Sequence, residues 1–334
     1  MIKKSLVFCL FALLIANSAF AGNSSNVFQN GVNNDALVQQ NGDANVADID
    51  QVGDNNTADV IQRGTGNRGI INQQSDNNGD ANGFGVYNGR VDQLGIANYA
   101  RIDQLADSQT YAHTAQNGNR NNATIMQRNG TRNNADTHQV GDGNRAATTQ
   151  QGSSNGGVNM AGTSASGASG TIGQFGNFNR AYLTQVGTLN LGDVVQRGNG
   201  NGSANAGVYQ NGTRNSAKVN QTGNNNRYGY IHQYGTSNIG TIDQVGDSNN
   251  AGMVQNGTSN NGDIDQDGDS NSSWMSQTGT TNRAFSDQDG NANYSNIRQN
   301  GLSNVAFVDQ NGNGHSSWVN QVGTGNVTNV FQNP

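Results

Sequence analysis

Glutamine recurs along this chain every 11 residues, and that spacing limits the possible folds more than any other feature. It is unbroken through Gln233, Gln244, Gln255, Gln266, Gln277, Gln288, Gln299, Gln310, Gln321 and Gln332. Earlier centres run from Gln29 to Gln221, and of 26 centres 20 have Asn six places before and 22 have Gly two places after. A short repeat of this kind cannot bury a core alone. It does so by stacking on its neighbours.

The unit reads N-x-A-x-Ψ-x-Q-x-G-x-x, where Ψ is usually Ile, Val, Leu or Met. Asn304, Ala306, Val308 and Gln310 fall on alternate positions, as do Asn56, Ala58, Val60 and Gln62. A period of two sends four side chains to one face of a β-strand and leaves the variable residues on the other. Eleven residues with two or three turn formers leave no room for a helix. Each unit is therefore a strand of about seven residues and a reversal at Gly, which tolerates positive φ. The expected fold is all-β: a two-strand-per-coil, cross-β-like solenoid of 22-residue coils, rising about 4.8 Å per coil.

Stacking explains why the polar positions are the fixed ones. Gln of one coil lies over Gln of the next, so each buried amide finds its partner in a ladder. Without one it would lose on the order of 1–3 kcal/mol. The same ladder role is expected of Asn249, Asn260, Asn271, Asn282, Asn293, Asn304 and Asn326. Small residues beside Ψ let the sheets close to about 10 Å.

Two intervals are degenerate, near residues 74–92 and 151–173. In the first, Asn88 is read as standing in for Gln. In the second, Ala161 takes a Gln position and Gly162–Gly170 reads as an irregular insert. Counting both gives 28 strands, or about 14 coils. Twelve-residue spacings, such as Gln104 to Gln116, place the extra residue in a turn.

Residues 1–21 differ from the rest. A basic MIKK, an apolar SLVFCLFALLIA and Ala19-Phe20-Ala21 form a secretory signal peptide, too short to span a membrane. Its removal takes away the single Cys and lowers the formal net charge from −6 to −8 with the loss of Lys3 and Lys4. Disulfide and thiolate chemistry are then excluded. Residues 22–334 read as one repeat domain. With 32% hydrophobic residues and abundant Asn, Gln and Gly, composition alone points to disorder, which the strict register opposes.

Gln299-Asn-Gly301-Leu-Ser-Asn304-Val-Ala306-Phe-Val-Asp-Gln310 resembles the curlin repeat, Q-x-G-x-x-N-x-A-x-x-x-Q, and the likeness covers nearly the whole mature chain. The resemblance implies an extracellular functional amyloid of bacterial biofilms, exported through an outer-membrane pore and nucleated by a minor subunit at the cell surface. Here the repeats are unusually numerous, and both strands of a coil begin mostly with Asn.

The motif is already present at Asn23–Gln29 and again at Asn326–Gln332, so neither end is expected to carry a cap. Uncapped edges recruit further copies, and a head-to-tail contact that does not close produces a filament. The expected partner is the chain itself, with no nucleic acid, membrane insertion or cofactor. The competing readings are a minor or nucleator subunit and a monomeric ice- or glycan-binding solenoid. The mixed outward residues fit a flat Thr array poorly.

No catalytic residue is expected. Gly152-Ser-Ser154-Asn-Gly156 matches G-x-S-x-G but falls in a repeat turn. The histidines at 113, 138, 232 and 315 read as scattered, so no zinc site is expected. Asp243, Asp265, Asp287 and Asp309 each precede Gln by one, which predicts an acidic ladder on one outer face. That ladder keeps monomers soluble or binds cations, although the Glu of a calcium loop is absent from the chain. Trp274, Phe285, Phe307 and Trp318, three places before Gln, read as one outward aromatic column.

Overall fold

A computed structural model describes residues 22–74, 76, 89–105 and 109–333. Residues 1–21, read above as a signal peptide, and Asn88 lie outside them. Twenty-seven strands, β1–β27 in chain order, form two parallel sheets. Odd-numbered strands build a 14-stranded sheet and even-numbered strands a 13-stranded one. The chain crosses from one sheet to the other after every strand. This is the expected all-β solenoid, with both β1 (Ser24–Asn30) and β27 (Val327–Gln332) edging the odd sheet.

Burial follows the period of two. Asn304, Ala306, Val308 and Gln310 have no exposure, whereas Val305, Phe307 and Asp309 are half-buried on the outer face. Parallel pairing sets equivalent residues side by side, as in Val305↔Val327 through Gln310↔Gln332. The core is a thin double column of Ala and Ile, Val, Leu or Met between walls of buried Gln and Asn.

The turns need glycine for two reasons. Gly257 sits at φ 131°, and a methyl there would overlap the carbonyl oxygen of Gly279 in the next coil. Two residues on, Ser259 holds φ 56°, a left-handed conformation that costs a non-glycine residue about 1–2 kcal/mol. The stack imposes that conformation on turn after turn, through Ser248, Ser270 and Ser303.

Irregularity is absorbed without loss of register. β4 (Thr57–Thr65) pairs directly with β6 (Gly89–Ile96), and β5 (Arg68–Gln74) with β7 (Tyr99–Leu105). The described sheets therefore leave no place for a strand between Gln73 and Gln93, and the expected 28 strands become 27. Ala161 does lie in a strand, β12 (Gly156–Ser166). The segment read as an insert is drawn into the sheet: β12 slips register between Met160 and Thr163 and again before Ala165, and β13 (Ser169–Phe175) begins three residues after β12 ends. A bulge keeps the ladder hydrogen bonds that an excursion would forfeit.

The apolar column divides at this place. One cluster runs from Ala47 to Ala135 and another from Ile172 to Val319. Between and beside them the Ψ position is Thr at Thr114, Thr137 and Thr148, whose hydroxyls are buried without a hydrogen-bond partner. This is the waist of the stack.

Candidate functional site

The feature that runs the length of the molecule is a pair of glutamine ladders. In the even sheet Gln233 donates from Nε2 to Gln255 Oε1 at 2.8 Å, Gln255 to Gln277 at 2.8 Å, Gln277 to Gln299 at 2.9 Å and Gln299 to Gln321 at 2.8 Å. In the odd sheet Gln244, Gln266, Gln288, Gln310 and Gln332 are joined the same way, at 2.6–2.9 Å. The second N–H of most of these amides crosses to the other strand of the coil, as Gln255 does to Ile239 O at 2.7 Å. Every one of the glutamine-to-glutamine bonds points the same way: the amide donates toward the C-terminal end.

Asparagine makes the expected amide-to-amide bonds in part of the stack and adds bonds to the backbone that the repeat did not announce. Asn282 Oδ1 accepts the backbone N–H of Asn304 at 3.1 Å, and Asn282 Nδ2 donates to Gly301 O at 3.0 Å. Asn260, Asn304 and Asn326 also donate amide to amide, from Nδ2 to the Oδ1 one coil back. Asn249, Asn271 and Asn293 hold the glycine carbonyls Gly268, Gly290 and Gly312. Asn thus ties each strand start to the turn stacked beside it. His315 continues that column through its own backbone N–H to Asn293 Oδ1.

One rung is missing. The even ladder runs Gln93, Gln116 and Gln139, and the residue at the next Gln position of the repeat is Ala161, which has no amide. On the far side, Gln185 Oε1 is buried without a partner. The other orphans of the ladder are at the edges. β1 is exposed along its whole length, and β2 (Asp35–Asp43) edges the even sheet. Gln29 and Gln40 donate inward, to Gln51 and Gln62, which leaves their carbonyl ends facing out of the stack. At the opposite edge, formed by β26 (Ser316–Thr324) and β27, the odd ladder finishes on the amide of Gln332, which donates once, to Ser316 O, whereas the Gln321 amide is closed off by Val305 O and Thr328 Oγ1. One edge offers acceptors and the other a donor. Apolar side chains accompany both: Phe28 and Val32 at the first, Val322, Val327 and Phe331 at the second.

The acidic ladder is present as expected. Asp243, Asp265, Asp287 and Asp309 pair strand to strand on the outer face of the odd sheet. Partial burial, together with the charges of Asp243 and Asp287, pushes the Asp265 carboxyl up to about 6, and Asp287 is raised by its own burial and by the charges of Asp309 and Asp289. The aromatic column, in contrast, is two columns. Phe285 pairs with Phe307 on the odd sheet, where Phe307 stacks on Phe331 with ring centroids 5.7 Å apart. Trp274 and Trp318 belong to the even sheet on the other side, and Trp274 packs against Tyr228 and Tyr230 at 6.0 Å. Successive repeats alternate sheets, so a column advances by two repeats.

The histidines are not all scattered. His113, in β8 (Tyr111–Asn119), lies beside Asp136 of β10 (Asn134–Asp142), and His138 follows on the same strand. Counting back from Gln116 and Gln139 would have placed His113 and Asp136 opposite each other, both three positions before their Gln. Ser154, in the G-x-S-x-G match, sits in a turn at φ 59° that leads into a strand, not the helix a nucleophile elbow requires. Searches against protein-family models and against curated proteins find no match to this chain.

Proposed function

We propose that this chain is a structural subunit that assembles end to end into extracellular, curli-like amyloid fibres of a biofilm matrix. The observation that carries the reading is the pair of stack edges. β1 is exposed along its whole length and β27 at alternate residues, and the glutamine ladders end on carbonyl oxygens at one edge and, in the odd sheet, on the Gln332 amide at the other. An exposed strand edge templates another strand. A donor edge and an acceptor edge on one molecule join head to tail, and such a contact propagates. The outer faces carry mixed Asp, Arg, Asn and aromatic residues, which suits a matrix polymer better than a flat ligand array. The curlin resemblance extends the proposal to export through an outer-membrane pore and to nucleation by a minor subunit.

The test is to purify the leaderless chain and follow it by electron microscopy and fibre diffraction. Unbranched fibres with a meridional reflection near 4.8 Å are expected. Val27→Lys at one edge, or Val330→Lys at the other, should block elongation, since each buries a charge at the junction. A chain that remains monomeric at high concentration, or fibres that both edge variants leave unaffected, would overturn the reading.

A further inference from the structure

The waist of the stack carries a side-chain cluster that the ladders do not use. Three strands of the even sheet, β6, β8 and β10, bring Arg90, His113 and Asp136 into one outward column, with Asp92 and His138 in the next. Asp136 Oδ1 lies 3.2 Å from His113 Nδ1 and 2.8 Å from His138 Nε2. The three ligand atoms lie within 4.8 Å of one another. A tetrahedral ion with bonds of about 2.0–2.1 Å separates its ligand atoms by roughly 3.3 Å, so small side-chain movements suffice. The two imidazole rings meet nearly edge to face, at 84° and 5.2 Å between centroids, and so approach a common point without clashing.

The geometry points to a His113–Asp136–His138 site for a divalent transition-metal ion of the zinc or copper kind, which fastens β8 to β10. The remaining ring nitrogen of His113 supports the assignment independently. His113 Nε2 is 3.2 Å from Asp92 Oδ2, and Asp92 is held by Arg90 at 2.7 Å. A metal-bound histidine characteristically donates its other N–H to a carboxylate, which fixes the ring and the tautomer. Here that leaves Nδ1 for the ion. Asp92 is a positioning residue, one step removed from the metal.

Ligand type also matches. Two imidazoles and one carboxylate suit zinc or copper and not calcium, which takes six to eight oxygens. His113 and Asp136 are mostly buried and His138 is open, so the site faces solvent, which supplies a fourth ligand as water. A groove of about 360 Å³, lined partly by Arg90, Asp92 and His138, adjoins it. Burial disfavours a charged His113 ring, yet the carboxylates of Asp136 and Asp92 hold its pKa up to about 9.

Location gives the site a purpose. β8 and β10 carry the orphaned Thr114 and Thr137 hydroxyls, and the next strand of the sheet, β12, lacks its glutamine rung. An ion shared by two coils stabilises the stack where its internal hydrogen bonding is poorest, because it binds the folded arrangement alone.

The experiment titrates the full chain, freed of its leader and carrying no histidine tag, with Zn²⁺ by calorimetry and with Cu²⁺ by electron paramagnetic resonance. One ion per chain is expected, with nitrogen hyperfine structure from two imidazoles. His138→Ala, at the most exposed ligand, should weaken binding by at least tenfold and remove one nitrogen. Asp92→Asn should lower affinity about 10–100-fold while stoichiometry and nitrogen count stay unchanged. His232→Ala, outside the cluster, should change nothing. Sub-stoichiometric binding, a His138→Ala variant with native affinity, or equal losses in His232→Ala would overturn the proposal.

Discussion

The rung between Gln62 and Gln93 closes at 2.8 Å across 31 residues of chain, and the rung between Gln233 and Gln255 closes at the same distance across 22. The first belongs to the irregular N-terminal half and the second to the regular C-terminal half, and the hydrogen bond does not register the difference. The strands on either side of the extra residues keep their pairing, and within β12 the extra residues are taken up as register slips. Yet one substitution, Ala161 in a Gln position, leaves Gln185 Oε1 buried without a partner. The ladder tolerates changes of length and not of chemistry. The outer faces differ too. The regular half presents a column of like charges, and the irregular half a cluster of opposite ones.

The sharpest way to break this comparison is at the turns. Gly257→Ala, where a methyl would overlap the Gly279 carbonyl, should cost more than about 3 kcal/mol. Gly143→Ala, at φ 67° with nothing within 4 Å, should cost about 1 kcal/mol. Guanidinium unfolding followed by circular dichroism reads both. The ladder comes next. Gln255→Ala strips a partner from Gln233 and from Gln277 and should cost about 3 kcal/mol, and Gln139→Ala, whose upper rung is already lost, about half that.

Titration separates the halves more gently. A raised His113 pKa contributes stability that is complete below the ordinary histidine value of 6.5 and is lost as pH climbs through about 9. Hydrogen exchange in β8 and β10, corrected for its intrinsic pH dependence, should show opening favoured by on the order of 2 kcal/mol between pH 6.5 and 9.5. Asp265 shifts the window lower. Its carboxyl, raised to about 6, gives stability that is full below 3.8 and is lost as pH rises through 6. Asp265→Asn should therefore stabilise the regular half at pH 7 by roughly 1 kcal/mol or less, since solvent screens this exposed column, and have no effect at pH 3.5. A variant equally stabilised at both pH values would show that charge is not the cause.

Much of this was legible because the period is two and the anchor is glutamine. Val308 and Gln310 had to face inward together, and the pairing Asp287↔Asp309 follows from a 22-residue step. What went astray depended on which sheet a repeat joins. Trp274 and Phe285 share a position in the motif but occupy strands of opposite parity, hence opposite faces. His113 and Asp136 were missed for a related reason: their proximity emerges only once a 23-residue interval is recognised as a single coil. The direction of the asparagine ladder was not legible at all. Its amide is short, and Asn282 Nδ2 reaches the glycine carbonyl beside it as well as the Oδ1 of Asn260 one coil back.

If the chain assembles end to end as proposed, the odd number of strands among the described residues has a bearing on fibre symmetry. Continuing past β27, the alternation of sheets asks for a strand above β26, but an unrotated copy would present β1 to the sheet that β27 already edges and leave a gap one strand wide. A half-turn about the long axis removes the gap: β1 of the incoming copy then extends the 13-stranded sheet and β2 the 14-stranded one. Fibres built this way obey a two-fold screw with an axial period of two molecules, about 130 Å at the cross-β spacing. Every surface feature of the subunit, acidic or aromatic, would then appear on both sides of the filament in turn.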